Sequence, residues 1–284
     1  MTLLSKTFDT ILPKVKEQPG HNDDPRSQLR AFFRKAAGLT HKDFFLNPDA
    51  PVAGEALQSI ASMVERANAG EPTQYITGEQ WFWKGAFQVG PGVLIPRPET
   101  ELLVEKILEK CPRGHRRFAE LGAGSGNIGV SCLSERADWE WYAWELSPIA
   151  ASYAELNARS ILGNSTTYQI RKGNFLTAVL NDWEWDAVVS NPPYVASELI
   201  PSLSPQVQKE PVLALDGGPD GLKVIEQFVE RASRLLKPQG LIAFEIGEEQ
   251  RWAVQNLLER TRFTQIEFFQ DLSGIDRVVT AVRG

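Results

Sequence analysis

The chain has 284 residues, 42% hydrophobic and 23% charged, with a formal net charge of −6. This is globular composition, enough for one large domain or a domain with a smaller partner, and the negative balance counts against a polyanion as main substrate unless basic residues gather on one face. No run approaches the roughly 18–20 apolar residues of a membrane span. The two cysteines, Cys111 and Cys132, have no CxxC spacing, so neither a disulfide framework nor a cysteine zinc site is expected and a reducing cytoplasm fits.

The first residues, MTLLSKTFDTILPKVKE, read as a weakly amphipathic helix whose apolar run is too short for a signal peptide. QPGHNDDP (18–25) breaks it. Leu29, Phe32, Phe33 and Ala36 then recur at helical spacing, as do Leu57, Ile60, Ala61 and Val64 after an Asn47-Pro48-Asp49 turn. His21, His41 and His115 lie far apart in polar surroundings and read as surface residues. The short basic groups Arg113, Arg116, Arg117 and Arg171, Lys172 read as solvated loop charges. Residues 1–74 are therefore expected to form a helical domain. From Tyr75 the period changes: YITGEQWFWKGAFQVGPGVLI is rich in β-branched and aromatic residues, which predicts a linking hairpin over 75–96 with its turn at Lys84-Gly85.

Over 97–284 strands and helices alternate. Helices are expected at 99–109, 127–135, 148–158, 219–236 and 249–260. Strands are expected at 116–121, 139–146, 166–173, 185–190, 240–247, 264–270 and 276–282, the last two joined by a tight Ser273-Gly274 turn. Such alternation implies a doubly wound, mostly parallel α/β sheet. The tight final turn makes the last strand antiparallel, which is the Rossmann-like architecture of class I methyltransferases. Ligands in such sheets bind beyond the carboxyl ends of the strands.

AELGAGSGNIG (119–129) joins a strand to a helix, and glycine lets the backbone turn sharply against a ligand. Gly122, Gly124 and Gly126 give a GxGxG form, with Glu120 and Ala123 beside them; Gly124, Gly126 and Gly129 give the dinucleotide form GxGxxG. The first is favoured because Gly122 directly follows the strand and no pyrophosphate partner is evident. Glu145 ends the next strand about 20 residues on, where a carboxylate accepts from ribose hydroxyls; alone it would read as a solvated strand end. Asn174 and Phe175 end the third strand, where Phe175 could stack on an adenine and Asn174 address its edge. A packed loop turn fits those two residues equally well.

The most specific feature is VVSNPPYV (188–195). An apolar strand ends in Asn191-Pro192-Pro193-Tyr194, where two prolines remove two N–H donors and leave carbonyls. Asn191 adds a side-chain acceptor. Such an array holds an NH2 group by both hydrogens and turns its lone pair toward an electrophile, while Tyr194 can lie flat on a planar amide or base. A sulfonium methyl is already activated, so positioning and desolvation suffice. This predicts an S-adenosylmethionine-dependent methyltransferase, releasing S-adenosylhomocysteine, that acts on an amide or amine nitrogen and needs no metal.

AGEPTQYITGEQWFWKGAFQVGPGVLIPRPETELLVE (69–105), ELGAGSGNIG, WELSP, NPPYV, EPVLALDGGPDGL (210–222), LLKPQGLIAFEIG and DLSGIDRVV follow one another in an order that resembles the PrmC/HemK family, the glutamine methyltransferases of peptide-chain release factors. The resemblance covers the chain beyond about residue 26. It implies that residues 1–74 help dock a class-1 release factor and that 97–284 bind the cofactor. It also implies that the glutamine of the factor's Gly-Gly-Gln loop is methylated, tuning translation termination. By position, Asn191 and the Pro192 carbonyl would hold the amide. Gly122 to Gly126 would hold the methionine part of the cofactor and Glu145 the ribose, while Arg97 and Glu99 would line or order the mouth. Glu120 and Asn174 stand where the family usually has Asp, and the first 25 residues match it poorly. A monomer with no nucleic-acid substrate is expected. The competing readings are an adenine-amine DNA or RNA methyltransferase, which would need a basic groove, and a cofactor-binding interaction protein without catalysis.

Overall fold

A computed structural model describes residues 2–17, 24–40, 42–178 and 184–284. The QPGHN and Asp23 part of the predicted break, with His21 and His41, lies outside them. The described residues divide into two compact units, 1–79 with 202–209, and 80–201 with 210–284. Among them no helix is long and apolar enough to cross a membrane.

The first unit is built from the helices Leu4–Ile11, Pro25–Ala37, Asp43–Leu46, Gly54–Asn68 and Thr73–Thr77. Asp24 caps the second of these, accepting from the Arg26 and Ser27 amides at 2.7 and 3.1 Å, with Pro25 in the first helical position and Gly38 closing it in the left-handed conformation. The periodic residues Leu29, Phe32, Phe33, Ile60 and Val64 join Leu4 and Phe8 in one buried cluster. Tyr75–Thr77, expected to begin the hairpin, instead lies in the helix Thr73–Thr77. Pro72 opens that turn, and Gly78, at φ 80°, closes it by donating its N–H to the Gln74 carbonyl at 2.8 Å. Local capping overrides the β-propensity of Tyr75 and Ile76.

The hairpin pairs Glu79–Phe82 with Gly85–Gln88. Its turn falls on Trp83-Lys84, one residue before the expected position. Trp83 is held at φ 55° by two carboxylates: its amide donates to Glu101 at 2.7 Å and its indole to Glu135 at 3.0 Å.

The second unit is organised by a seven-stranded sheet of β1 (Arg117–Leu121), β2 (Glu140–Glu145), β3 (Tyr168–Lys172), β4 (Trp185–Ser190), β5 (Leu236–Glu245), β6 (Phe263–Gln270) and β7 (Asp276–Arg283). Their spatial order is β6-β7-β5-β4-β1-β2-β3. Strands β1 to β5 pair in parallel, and β7 runs antiparallel to both β5 and β6. The chain thus starts in the middle, runs to one edge and returns to the other side of β1, which opens a switch point between β1 and β4.

Helices α1 (Glu101–Lys110), α2 (Asn127–Glu135) and α3 (Pro148–Leu162) cover one face, packing Leu103, Ile107, Ile128 and Ala154 on Phe118, Trp141 and Val189. Helices α4 (Lys223–Leu235) and α5 (Arg251–Arg260) cover the other, packing Phe228, Val229 and Leu258 on Ala119, Val188 and Phe244. Each fully buried Leu or Phe of this kind contributes about 1.5–3 kcal/mol. Gly129 belongs to this packing: a Cβ there would come within 2.4 Å of the Trp141 indole nitrogen, so glycine lets α2 close onto β2. The helix expected from Pro219 begins only at Lys223, because residues 217–221 are occupied in contacts with the corner after β4.

Candidate functional site

At the carboxyl ends of β1, β2 and β4 lies a cavity of about 220 Å³, among whose walls are Gly122, Gly124, Trp144, Glu145, Phe175 and Asn191. Gly122 and Gly124 sit at φ 69° and 55°, and a Cβ on either would meet nothing within 4 Å. The loop is therefore a bare cradle facing open space. Its conformation is fixed from β2: the Trp144 carbonyl accepts from the Gly122 and Ala123 amides, and the Glu145 carboxylate accepts from Gly124 at 2.8 Å and Ser147 at 2.8 Å. Each Glu145 oxygen takes one of these bonds, so each keeps acceptor capacity for a hydroxyl. Phe175, 1% exposed, is wedged edge-on against Trp144 and forms an apolar wall. Asn174 also lines the cavity, with Oδ1 committed to the Leu176 amide at 2.9 Å.

Asn191 and Pro193 also line the cavity. The corner they form is held from several sides. Gln250 donates to the Tyr194 carbonyl at 3.0 Å, and Val195 exchanges backbone bonds with Leu215 and Gly217. A Cβ on Gly217 would come within 2.8 Å of the Pro193 carbonyl, and one on Gly221 within 2.3 Å of the Tyr194 carbonyl. These close approaches account for Gly217 and Gly221, two of the three glycines of LDGGPDGL. A smaller adjoining cavity of about 30 Å³ is bounded by Arg97, Thr100, Ala123 and Asn191. There Arg97 pairs with Glu210, which also accepts from the Ile95 amide at 2.9 Å.

Of the residues singled out from sequence, Gly122, Ala123, Gly124, Glu145, Asn174, Phe175, Asn191, Pro193 and Arg97 border these two cavities. Gly126, Pro192, Glu99, Glu120 and Tyr194 do not. Tyr194 turns inward and its hydroxyl donates to Glu245 at 3.0 Å, so the ring expected to lie over an acceptor amide is anchored behind the corner. Burial and the nearby Glu245 push its phenol well above the usual range. Thr100, Glu210, Glu245 and Gln250 were not foreseen. Only their places within PRPETE, EPVLAL and AFEIGEEQ marked them in the sequence.

Glu120 lies under the glycine loop, fully buried, with Oε2 accepting from the Trp141 indole at 2.6 Å and Oε1 without a partner. Burial pushes its carboxyl up to about 8, against the Trp141 bond and helped by the charge of Glu145. Below the ordinary carboxylate range folded and unfolded chains both hold this proton. Between that range and about 8 only the folded chain does, so stability is lost as pH rises through the interval. Glu120→Gln keeps an acceptor for Trp141 and removes the titration. Its melting temperature should vary less between pH 5 and 8 than that of wild type; equal slopes would show that Glu120 is ionised when buried.

A family profile described as the PrmC N-terminal domain matches residues 17–78, and one described as the methyltransferase small domain matches 98–204. The chain is 38% identical to the release factor glutamine methyltransferase of Caulobacter vibrioides, over 92% of this chain and 90% of that one. It is 37% identical to the enzyme of the same name from Moorella thermoacetica, over 93% of each. A solved methyltransferase from Pyrococcus furiosus superposes with a TM-score of 0.52 at 16% identity, covering 70% of this chain and 88% of that one.

Proposed function

The chain belongs to the release factor glutamine methyltransferase family, and from that premise we propose that it methylates the side-chain amide nitrogen of the glutamine in the Gly-Gly-Gln loop of class-1 peptide-chain release factors. S-adenosylmethionine is the methyl donor and S-adenosylhomocysteine the product. The reading rests above all on one observation: Asn191, at the head of a corner whose two prolines carry no N–H, borders the same cavity as the bare glycine cradle and Glu145.

The residues present suit that cofactor. Gly122 and Gly124 leave room where a Cβ would intrude, Glu145 offers acceptors to ribose hydroxyls, and Trp144 with Phe175 gives an apolar wall for adenine. Asn174, with Oδ1 occupied, keeps its amide nitrogen as a donor to the adenine edge. The bound cofactor supplies a methyl group on a positively charged sulfur. The chain's task is to bring a weak nucleophile to it dry and correctly turned. The Asn191 Oδ1 accepts one hydrogen of the glutamine NH2 and presents the nitrogen to the cavity, while Pro192, whose carbonyl the family resemblance makes the second acceptor, lies outside the cavity walls. Arg97, held by Glu210, orders the adjoining rim. Methylation would replace one hydrogen of the glutamine NH2, released as a proton to solvent, with the methyl group that the cofactor would supply.

The same corner could hold an adenine amino group, but the relatives' names and the net charge of −6 favour a protein amide. The N-terminal helical unit is proposed to help dock the release factor, supported by the domain profile over 17–78. The buried, free Cys111 and Cys132 are compatible with cytoplasmic work. Incubating the purified chain with methyl-tritiated cofactor and either release factor or duplex DNA tests the proposal. Label is expected in the factor alone, and label in DNA alone would overturn it.

A further inference from the structure

Behind Asn191 runs a buried hydrogen-bond chain that the methyl-transfer reading does not use. The Asn191 Nδ2 donates to Thr100 Oγ1 at 3.2 Å, the Thr100 hydroxyl donates to Glu245 Oε2 at 2.6 Å, and the Tyr194 hydroxyl donates to Glu245 Oε1 at 3.0 Å. Thr100 and Glu245 are each 1% exposed. The four residues come from the entry to α1, the corner after β4 and the end of β5.

We propose that Thr100 and Glu245 are positioning residues that set which end of the Asn191 amide faces the acceptor glutamine, a role that rests on the function proposed above. A threonine hydroxyl has one proton. Glu245, facing hydroxyl donors on both oxygens, takes that proton, so Thr100 can only accept from Asn191. The Asn191 NH2 is thereby committed inward and Oδ1 is left for the cavity. With the amide reversed, the NH2 of Asn191 would confront the NH2 of glutamine, donor against donor. Thr100 and Glu245 are almost fully buried, and a buried polar group without a partner is costly. Burial raises the Glu245 carboxyl, while Thr100, Tyr194 and the Arg277 guanidinium favour its charged form and Glu99 opposes it. Asp271, hydrogen-bonded to Arg277, completes the charged surroundings.

Two readouts test the chain. Thr100→Val removes the hydroxyl at nearly constant shape and should lower kcat on release factor about 10- to 30-fold, the loss of one buried hydrogen bond's worth of orientation, with KM for the cofactor little changed. Thr100→Ser should recover most of that loss. Independently of turnover, the side-chain 15NH2 pair of Asn191, assigned by its absence in Asn191→Ala, should be shifted and exchange faster in Thr100→Val and be restored in Thr100→Ser. If Thr100→Val does not fold, Glu245→Gln takes its place, with the same expected fall in kcat and the same shifted resonance. Wild-type kcat or an unchanged Asn191 resonance in the folded variant would overturn the proposal. A wild-type chain that fails to methylate release factor would instead refute the function, and the resonance would still decide the positioning chain.

Discussion

Asn191→Ala is expected to lower kcat on release factor by roughly 10²–10³ while cofactor affinity stays close to wild type. The effect follows from where Asn191 sits. It follows β4 at the switch point, borders the cavity, and has one N–H of its NH2 held by Thr100, which leaves Oδ1 to accept from substrate. Removing one preorganised hydrogen-bonding group from a water-poor site costs about 3–4 kcal/mol in the barrier, by analogy with oxyanion-hole donors. The cofactor is assigned to other residues, Gly122, Gly124 and Glu145, so calorimetric binding of S-adenosylhomocysteine should hardly move. Wild-type turnover by Asn191→Ala would return the Asn-Pro-Pro-Tyr corner to a purely structural role.

Glu145→Ala should show the opposite emphasis, weakening cofactor binding by roughly 10²-fold, about 3 kcal/mol, with a smaller loss of kcat at saturating cofactor. Two effects act together. The ribose loses a charged acceptor, and the Gly124 and Ser147 amides lose the carboxylate that fixes the glycine cradle. Isothermal titration with S-adenosylhomocysteine measures the change directly. An unchanged Kd would remove Glu145 from the cofactor site and leave it a loop-bracing residue only.

The parts of this architecture legible in the sequence are those encoded locally. Helix α2 and strand β4 begin and end where glycine, apolar run and proline place them, and the tight turn between β6 and β7 implied the antiparallel final strand. Errors arose where a tertiary contact outweighed local preference. Trp83 accepts a left-handed conformation because Glu101 and Glu135 hold it, and the loop before α4 stays irregular because Gly217 and Gly221 press on the corner after β4. Glu120 carried a signal that went unread. It lies two residues after Phe118 in a strand covered on both faces, so it shares the buried side with Phe118 rather than the ligand edge. Thr100, Glu210 and Glu245 could not be joined to the site from spacing, since their partners lie 51 to 145 residues away along the chain. The types of the site residues were visible in the sequence, whereas the bonds that orient them exist only once the sheet is assembled.

The most direct test compares a folded release factor carrying its Gly-Gly-Gln glutamine with one in which glutamate replaces it, each incubated with the chain and S-adenosylmethionine and mapped by mass spectrometry. A carboxylate has no NH2 to donate and would set its own oxygens against the Asn191 Oδ1. The expected result is one added methyl group on the glutamine side chain and none on the glutamate variant. Equal methyl incorporation into both factors, or a methyl group at any other residue of the glutamine factor, would contradict the assignment.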